Sequence, residues 1–276
     1  MNYYNENDPS AAAWLRELIA EGLIPAGHVD ERSILDVRPS DLAGFRQCHF
    51  FAGIAGWSLA LQLAGWPEDR PVWTGSCPCQ PFSVAGKGLG EKDERHLWPV
   101  FRDLIRECRP PVVFGEQVAS KAGRGWLAGV FADLEKLAYA VATADLCAAG
   151  VRAPHIRQRL WWLGERLADD NCEKLDGSIG DRDEAGSSRP ENGSRLGDSK
   201  RSGLPRESLS MLGSVDQGFW DVFDLLPCLD GKSRRVEPGS FPLAHGVPGR
   251  VGLLRGYGNA IVPQVAAEFI KAYLEI

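Results

Sequence analysis

The sequence has no apolar run approaching the ~20 residues that cross a bilayer. Its longest apolar stretches are broken by charges or prolines, so no membrane association is expected. It also lacks an excess of positive charge. At a formal net charge of −6, any nucleic acid must be held by a local basic patch and not by the field of the whole molecule. The N-terminus has no basic-then-apolar signal, and the seven cysteines are odd in number and unevenly scattered. Together these absences argue against a disulfide framework and for a reduced, cytoplasmic setting. Cys77 and Cys79 have no second pair or nearby histidines, and Cys147 and Cys172 do not supply the spacing, so no metal site is expected. Lys87-Gly88 lies outside any Gly-x-x-x-x-Gly-Lys-Ser/Thr pattern, which excludes a phosphate-binding loop of that kind. No internal repeat is visible.

What remains is a chain of 276 residues, 44% hydrophobic, with 31 glycines and 18 prolines. That suits one large loop-rich α/β domain with a small appendage. Residues 11–21 place Trp14, Leu15, Leu18 and Ile19 at helical spacing after Asp8-Pro9-Ser10, a good helix start. A strand-like run at 48–51 leads through a glycine turn into an apolar-periodic stretch at 57–64. A second strand, 72–76, runs into the Cys77–Ser83 loop. Helices at 96–108 and 126–137 and strands at 111–114, 139–146 and 160–164 complete an alternation that predicts a largely parallel sheet covered on both faces. Residues 168–209 form a polar tract that can supply little core. Order resumes near residues 219–223, and a last helix is expected over 264–274 after Pro263.

Two local features suggest chemistry. Pro78-Cys79-Gln80-Pro81 holds a thiol on a rigid, non-helical backbone, where it can be a nucleophile or an ordinary small apolar residue. Gly53 and Gly56 let the backbone approach a nucleotide-like ligand at the end of the first strand after residue 46, or simply make a tight corner. Glu116 taken singly reads as an acid after a strand. Arg152, Arg157 and Arg159 form a short basic cluster suited to phosphates or to solvent, and Arg157 and Arg159 alternate along an extended segment so as to share a face.

Five segments taken in order carry more. Phe51-Ala52-Gly53-Ile54-Ala55-Gly56, Gly75-Ser76-Cys77-Pro78-Cys79-Gln80-Pro81-Phe82-Ser83, Gly115-Glu116-Gln117-Val118, His155-Ile156-Arg157-Gln158-Arg159 and Gly258-Asn259-Ala260-Ile261-Val262-Pro263 resemble the successive motifs of the DNA cytosine-C5 methyltransferases. The resemblance covers roughly 48–164 and 235–276 and suggests a compact, phage-like member. It implies a Rossmann-like, S-adenosylmethionine-dependent α/β fold with a reduced sheet and a small irregular region. The corresponding segments are an N-terminal extension (1–46), a catalytic core (47–166), a variable, possibly target-recognising region (167–234) and a C-terminal segment completing the core (235–276).

The resemblance also implies site roles. Cys79 would attack C6 of a cytosine flipped out of double-stranded DNA, Glu116 would hold a proton at N3, and Arg157 and Arg159 would flank the base. Phe51, Ala52, Gly53, Ile54, Gly56, Pro78, Asn259 and Ala260 would surround S-adenosyl-L-methionine. Gln80, Ser83, Lys87, Gln117 and Val118 would meet the substrate, with 83–95 as a closing loop.

The sequence departs from that family in several places. Ala55 replaces a usual glycine, Gln117 an asparagine, and His155 a glutamine. Only 26 positions separate Gly53 from Cys79, where the family fits two further strands with acids for the donor's ribose and adenine. The segment around Asp30, Glu31 and Ser33–Val37 is expected either to cover the sheet edge or to replace part of that pocket. A homodimer or partner protein is the other way to cover it. Two different functions fit the same motifs: a related modifier acting on RNA or with another donor, and a degenerate, non-catalytic DNA-binding homologue.

Overall fold

The computed structural model describes residues 1–78, 97–168, 224–227, 231, 233–236 and 258–276. The expected closing loop, the polar tract and the 219–223 segment lie outside the described residues. Two units are distinguished, Met1–Leu167 with Val222–Ile276, and Ala168–Asp221, and the description below concerns the first.

The strands are β1 (Asn2–Asn5), β2 (Gly27–Asp30), β3 (Gln47–Phe50), β4 (Val72–Gly75), β5 (Val112–Val118), β6 (Tyr139–Cys147), β7 (Gln158–Arg166) and a separate hairpin, β8 (Asp224–Pro227) with β9 (Ser233–Val236). The helices are α1 (Pro9–Ala20), α2 (Gly56–Leu63), α3 (Trp98–Cys108), α4 (Lys121–Lys136) and α5 (Pro263–Leu274). Seven strands form one sheet in the order β2-β1-β3-β4-β5-β7-β6. The pairs from β2 through β5 are parallel, and β7 runs antiparallel between β5 and β6.

The mixed α/β architecture is as the sequence implies, and between Gly53 and β4 the chain holds only α2. The sheet nevertheless reaches seven strands, because β1 and β2 come from the N-terminal segment and pair onto β3. The edge on which the expectation of a partner rested is therefore covered by the chain itself.

All four residues of β1, β3 and β4 are buried, as expected of strands covered on both faces. Alternation in β1 sends Tyr3 to one face and Tyr4 to the other. Tyr3 joins a layer with Phe50, Trp73, Phe101, Ile105, Val130 and Trp162, beneath α3 and α4. Tyr4 packs with Leu15, Ile24, Ala52 and Ala55, beneath α1. Each fully buried large side chain stabilises by about 1.5–3 kcal/mol, so β1 is anchored from both sides.

The register is fixed by buried polar pairs, which a one-residue slip would leave unsatisfied. Asn2 Nδ2 donates to Gln47 Oε1 at 3.0 Å between β1 and β3, and His49 Nδ1 meets Thr74 Oγ1 at 2.8 Å between β3 and β4. α1 starts where Asp8 accepts from the amides of Ser10 and Ala11. α5 begins with Pro263 in its first turn and packs against α2.

Candidate active site

The carboxyl ends of β1, β3, β4 and β5 meet at one rim of the sheet. β3 leaves through Phe51, whose φ is 51°, and the Ala52 amide donates to Asn5 O at 3.0 Å. Gly53 (φ 55°) and Ala55 (φ 68°) both turn in the left-handed region before α2. This makes the glycine turn a true reversal, and Ala55 adopts the conformation that the glycine usual at its position would adopt without strain. Phe51, Gly53 and Ile54 are partly accessible while Ala52 is buried.

The Gly53 N–H donates to Glu6 Oε2 at 2.8 Å, and Glu6 Oε1 accepts from the Asp8 amide at 2.9 Å. Glu6, just past β1, was not among the sequence candidates. Nothing local in Asn5-Glu6-Asn7 marks it, since its place comes from the pairing of β1 with β3.

Asp30, at the end of β2, accepts the Tyr3 hydroxyl at 2.7 Å and Arg32 Nη2 at 2.7 Å. Burial alone would raise its carboxyl, but the hydrogen bonds from Arg32 and Tyr3 outweigh it and hold the group down at about 2.

β4 delivers Ser76, buried Cys77 and half-buried Pro78 to the rim. Cys79, Gln80, Ser83 and Lys87 lie outside the described residues. Trp57, in the first turn of α2, donates its indole N–H to Ser76 Oγ at 3.0 Å. Neither Trp57 nor Ser76 was singled out in the sequence, though Ser76 lies within the Cys79 motif.

Glu116 and Arg159 are brought together. Arg159 Nε lies 2.7 Å from Glu116 Oε1, and only 12% of the Glu116 side chain reaches solvent. The pair is diagonal across β5 and β7, where Glu116 lies opposite Trp161 and Val118 opposite Arg159. Burial pushes the Glu116 carboxyl up from the usual glutamate range, opposed by Arg159, Arg157 and a hydrogen bond from Ser76. The result is an acid that keeps its proton to higher pH than an ordinary glutamate, beside a fixed positive charge.

Arg157 departs from the extended alternation read from the sequence. With φ 33° it precedes β7, and its guanidinium donates to the carbonyls of Gly258, at 3.0 Å, and Ala260. It ties the Gly258-Asn259-Ala260 segment to this rim, whereas Arg159 alone bonds Glu116. Burial, assisted by the like charge of Arg159, lowers the Arg157 guanidinium. Asn259 is exposed and Ala260 half-buried. Beside them Ile261 packs so closely on Gly56 that a Cβ there would lie 2.6 Å from its Cγ1.

Gln117 is not brought to the Glu116 carboxyl. Strand alternation sends it to the opposite face, where it is buried and its Oε1 accepts from the Val118 amide at 2.9 Å. Val118 is half-buried at the end of β5.

A mainly parallel sheet with a left-handed glycine turn at one strand's carboxyl end, and a half-buried acid–arginine pair two strands along, has a Rossmann-like α/β architecture. Residues 65–178 match the family described as C-5 cytosine-specific DNA methylase. Curated relatives include the Type II methyltransferases M.AplI of Arthrospira platensis, 36% identical over 35% of this chain and 29% of its own, and M.HhaI of Haemophilus parahaemolyticus, 27% identical over 47% and 52%. M.PspPI of a Psychrobacter strain is 36% identical over 45% of this chain and 40% of its own.

Residues 65–178 are thus similar to the DNA cytosine-C5 methyltransferases, and the chain spans between under a third and about half of these relatives' length. Among solved structures, a mutant of Spodoptera frugiperda DNMT2 aligns with TM-score 0.39 and 14% identity, over 66% of this chain and 53% of its own. A DNA modification methyltransferase described as putative, from an Escherichia coli prophage, aligns with TM-score 0.37 and 18% identity, over 64% and 49%. Among the described residues no helix is long and apolar enough to cross a membrane.

Proposed function

We propose that this chain methylates C5 of a cytosine flipped out of double-stranded DNA, with Cys79 as the covalent nucleophile and S-adenosyl-L-methionine as the donor. The observation that carries this reading is the half-buried Glu116–Arg159 pair at 2.7 Å, joined through Ser76 to the segment that leads directly into Pro78 and Cys79. C5 of cytosine is a weak nucleophile until a group adds at C6. In this reading the Cys79 thiolate forms a bond to C6, and its electron pair enters the ring as an enamine whose C5 becomes nucleophilic. Glu116 holds a proton at N3, which offsets the negative charge that attack places on the ring. Arg159 fixes the Glu116 carboxyl and presents positive charge beside the O2 carbonyl of the base. Once C5 has taken the methyl group, with the sulfur of the donor departing as a neutral thioether, loss of the C5 proton to water and of the thiolate restores the aromatic base.

When bound, the donor supplies an electrophilic methyl group. The residues at the rim fit it. The Glu6 carboxylate accepts one backbone N–H on each oxygen, which leaves acceptor positions for a ribose diol. Phe51, Ala52, Gly53, Ile54 and Gly56 provide the turn, with Pro78, Asn259 and Ala260 on the other side. Asp30 is committed to Arg32 and Tyr3, and so orders the loop after β2. Because β1 is paired to β3 within the chain, this reading needs no partner subunit to complete the pocket.

The test is nucleoside mass spectrometry of DNA from a methylation-deficient host expressing the protein, beside Cys79→Ala. New 5-methylcytosine that vanishes with Cys79→Ala supports the reading. Unmodified DNA with folded protein overturns it in favour of the non-catalytic homologue, and methylated RNA in the same cells overturns the choice of substrate.

A further inference from the structure

The contact between Trp57 and Ser76 has a definite polarity. An indole N–H can only donate, so at 3.0 Å the Ser76 oxygen is the acceptor. Ser76 follows Gly75, which pairs with Gly115 across β4 and β5, so it lies beside Glu116, and the single proton of its hydroxyl hydrogen-bonds that carboxyl. With one lone pair engaged by Trp57, that proton is free to point at Glu116. The indole is itself held rigidly. Trp57 is 4% exposed, stacked against Phe114 with centroids 6.2 Å apart and edge-on to Trp161 at 5.5 Å.

We propose that Trp57 and Ser76 form a positioning relay in which the indole locks the Ser76 hydroxyl, and the hydroxyl holds the Glu116 carboxyl in the orientation that presents its proton to the base. This rests on the methyltransferase reading of Glu116 given above. Ser76 and Trp57 touch neither base nor donor in this scheme and act through Glu116. The charged groups facing Glu116 are Arg159, on β7, and Arg157, just before it; α2 and the end of β4 contribute only the neutral indole and hydroxyl. Since Arg159 Nε occupies Oε1, the hydroxyl is what keeps the carboxyl from rotating about that single anchor.

Hydroxyl donation favours the ionised carboxylate. Losing it therefore makes Glu116 hold its proton to higher pH. The experiment is the pH dependence of kcat/KM for methyl transfer to duplex DNA by the wild type, Ser76→Ala, Ser76→Thr, Trp57→Phe and Glu116→Gln, with melting temperatures for each. The limb belonging to Glu116 is the one that Glu116→Gln abolishes. Ser76→Ala should move that limb to higher pH and lower kcat/KM about tenfold at the wild-type optimum, the loss of one hydrogen bond to a charged group. Ser76→Thr should restore both, and Trp57→Phe should move the limb the same way by less.

An unmoved limb in Ser76→Ala, or no restoration by Ser76→Thr, overturns the relay while leaving the function intact. Full activity in Glu116→Gln overturns the function on which the relay rests. If the wild type transfers no methyl group, infrared titration of the Glu116 carboxyl in the folded protein without DNA decides the relay: a higher midpoint in Ser76→Ala supports it, and an equal one overturns it.

Discussion

Glu6 accepts a hydrogen bond from the Gly53 amide across 47 positions of sequence, at 2.8 Å. This contact joins a residue outside the recognisable motifs to the turn at their head, and it gives the proposed donor pocket an acid at the carboxyl rim, whereas Glu68 and Asp69, the acids between 53 and 79, precede β4 at its amino end. Glu6→Gln keeps the shape and removes the charge. We expect calorimetry with S-adenosyl-L-methionine to find binding weakened about tenfold, since a hydrogen bond to a charged acceptor contributes about 1.5–3 kcal/mol, and the melting temperature to fall modestly, because the Gln NH2 cannot accept the N–H that one carboxylate oxygen now accepts. Unchanged binding would remove Glu6 from the pocket.

Deleting residues 1–45 should abolish soluble expression. It removes β1 and β2, exposes the β3 edge at Gln47–Phe50, and strips Tyr3 and Tyr4 from the two apolar layers. An open hydrophobic edge of this kind templates aggregation. A soluble, cooperatively melting truncation would show that the N-terminal strands are an accessory.

Glu116→Gln should separate stability from activity. The folded-state carboxyl lies above its unfolded value because of burial. Its contribution is thus present at low pH and is lost as the pH rises through the folded value. The Gln variant should equal the wild type near pH 4 and melt higher at neutral pH, while its methyl transfer falls about 10²- to 10⁴-fold. Denaturation at several pH values reads the first part; a gap that narrows with rising pH would contradict it.

Asp30→Asn tests the opposite sign. The folded carboxyl sits at about 2, below its ordinary 3.8, so its stabilisation is full above pH 3.8 and lost as the pH falls towards 2. With Asp30 nearly buried but Arg32 half-exposed, solvent screening reduces this to about 1–2 kcal/mol. Urea denaturation at neutral pH should show a loss of that size, vanishing in acid.

Gly115→Ala should destabilise by about 3 kcal/mol, because a Cβ there would lie 2.1 Å from the Trp162 ring, itself fully buried. The shift would reach the adjacent Glu116, so activity should fall with stability. A chemical denaturation midpoint equal to that of the wild type would show that the ring can yield.

Much was legible in the sequence because it is local. Apolar periodicity and caps located α1, α2, α4 and α5, and short apolar runs located β3, β4 and the core of β5. The order of the five motif segments, which hold Gly53, Cys79, Glu116, Arg159 and Asn259, carried the family resemblance. Pairing partners were not legible. Asn2–Asn5 is too short and too polar to read as a buried strand, and its polar ends are tolerable only because Asn2 meets Gln47 and Asn5 meets the carbonyls of Asp30 and Arg32. The sequence therefore points to the N-terminal segment as an edge cover only through Asp30 and Ser33–Val37, and nothing in Asn5-Glu6-Asn7 marks the acid after β1.

By itself the sequence determined the α/β class, the family resemblance and the identity of the acid, the arginines and the glycine turn, all of which are written in contiguous residues. Tertiary structure alone decided that the N-terminal strands close the sheet, that Glu6 meets Gly53, that Arg157 holds the C-terminal segment while Arg159 holds Glu116, and that Trp57 reaches Ser76. Each depends on strand order and on the direction in which a side chain leaves its element. Those are set by burying both faces of the sheet at once, and no local stretch of sequence encodes them.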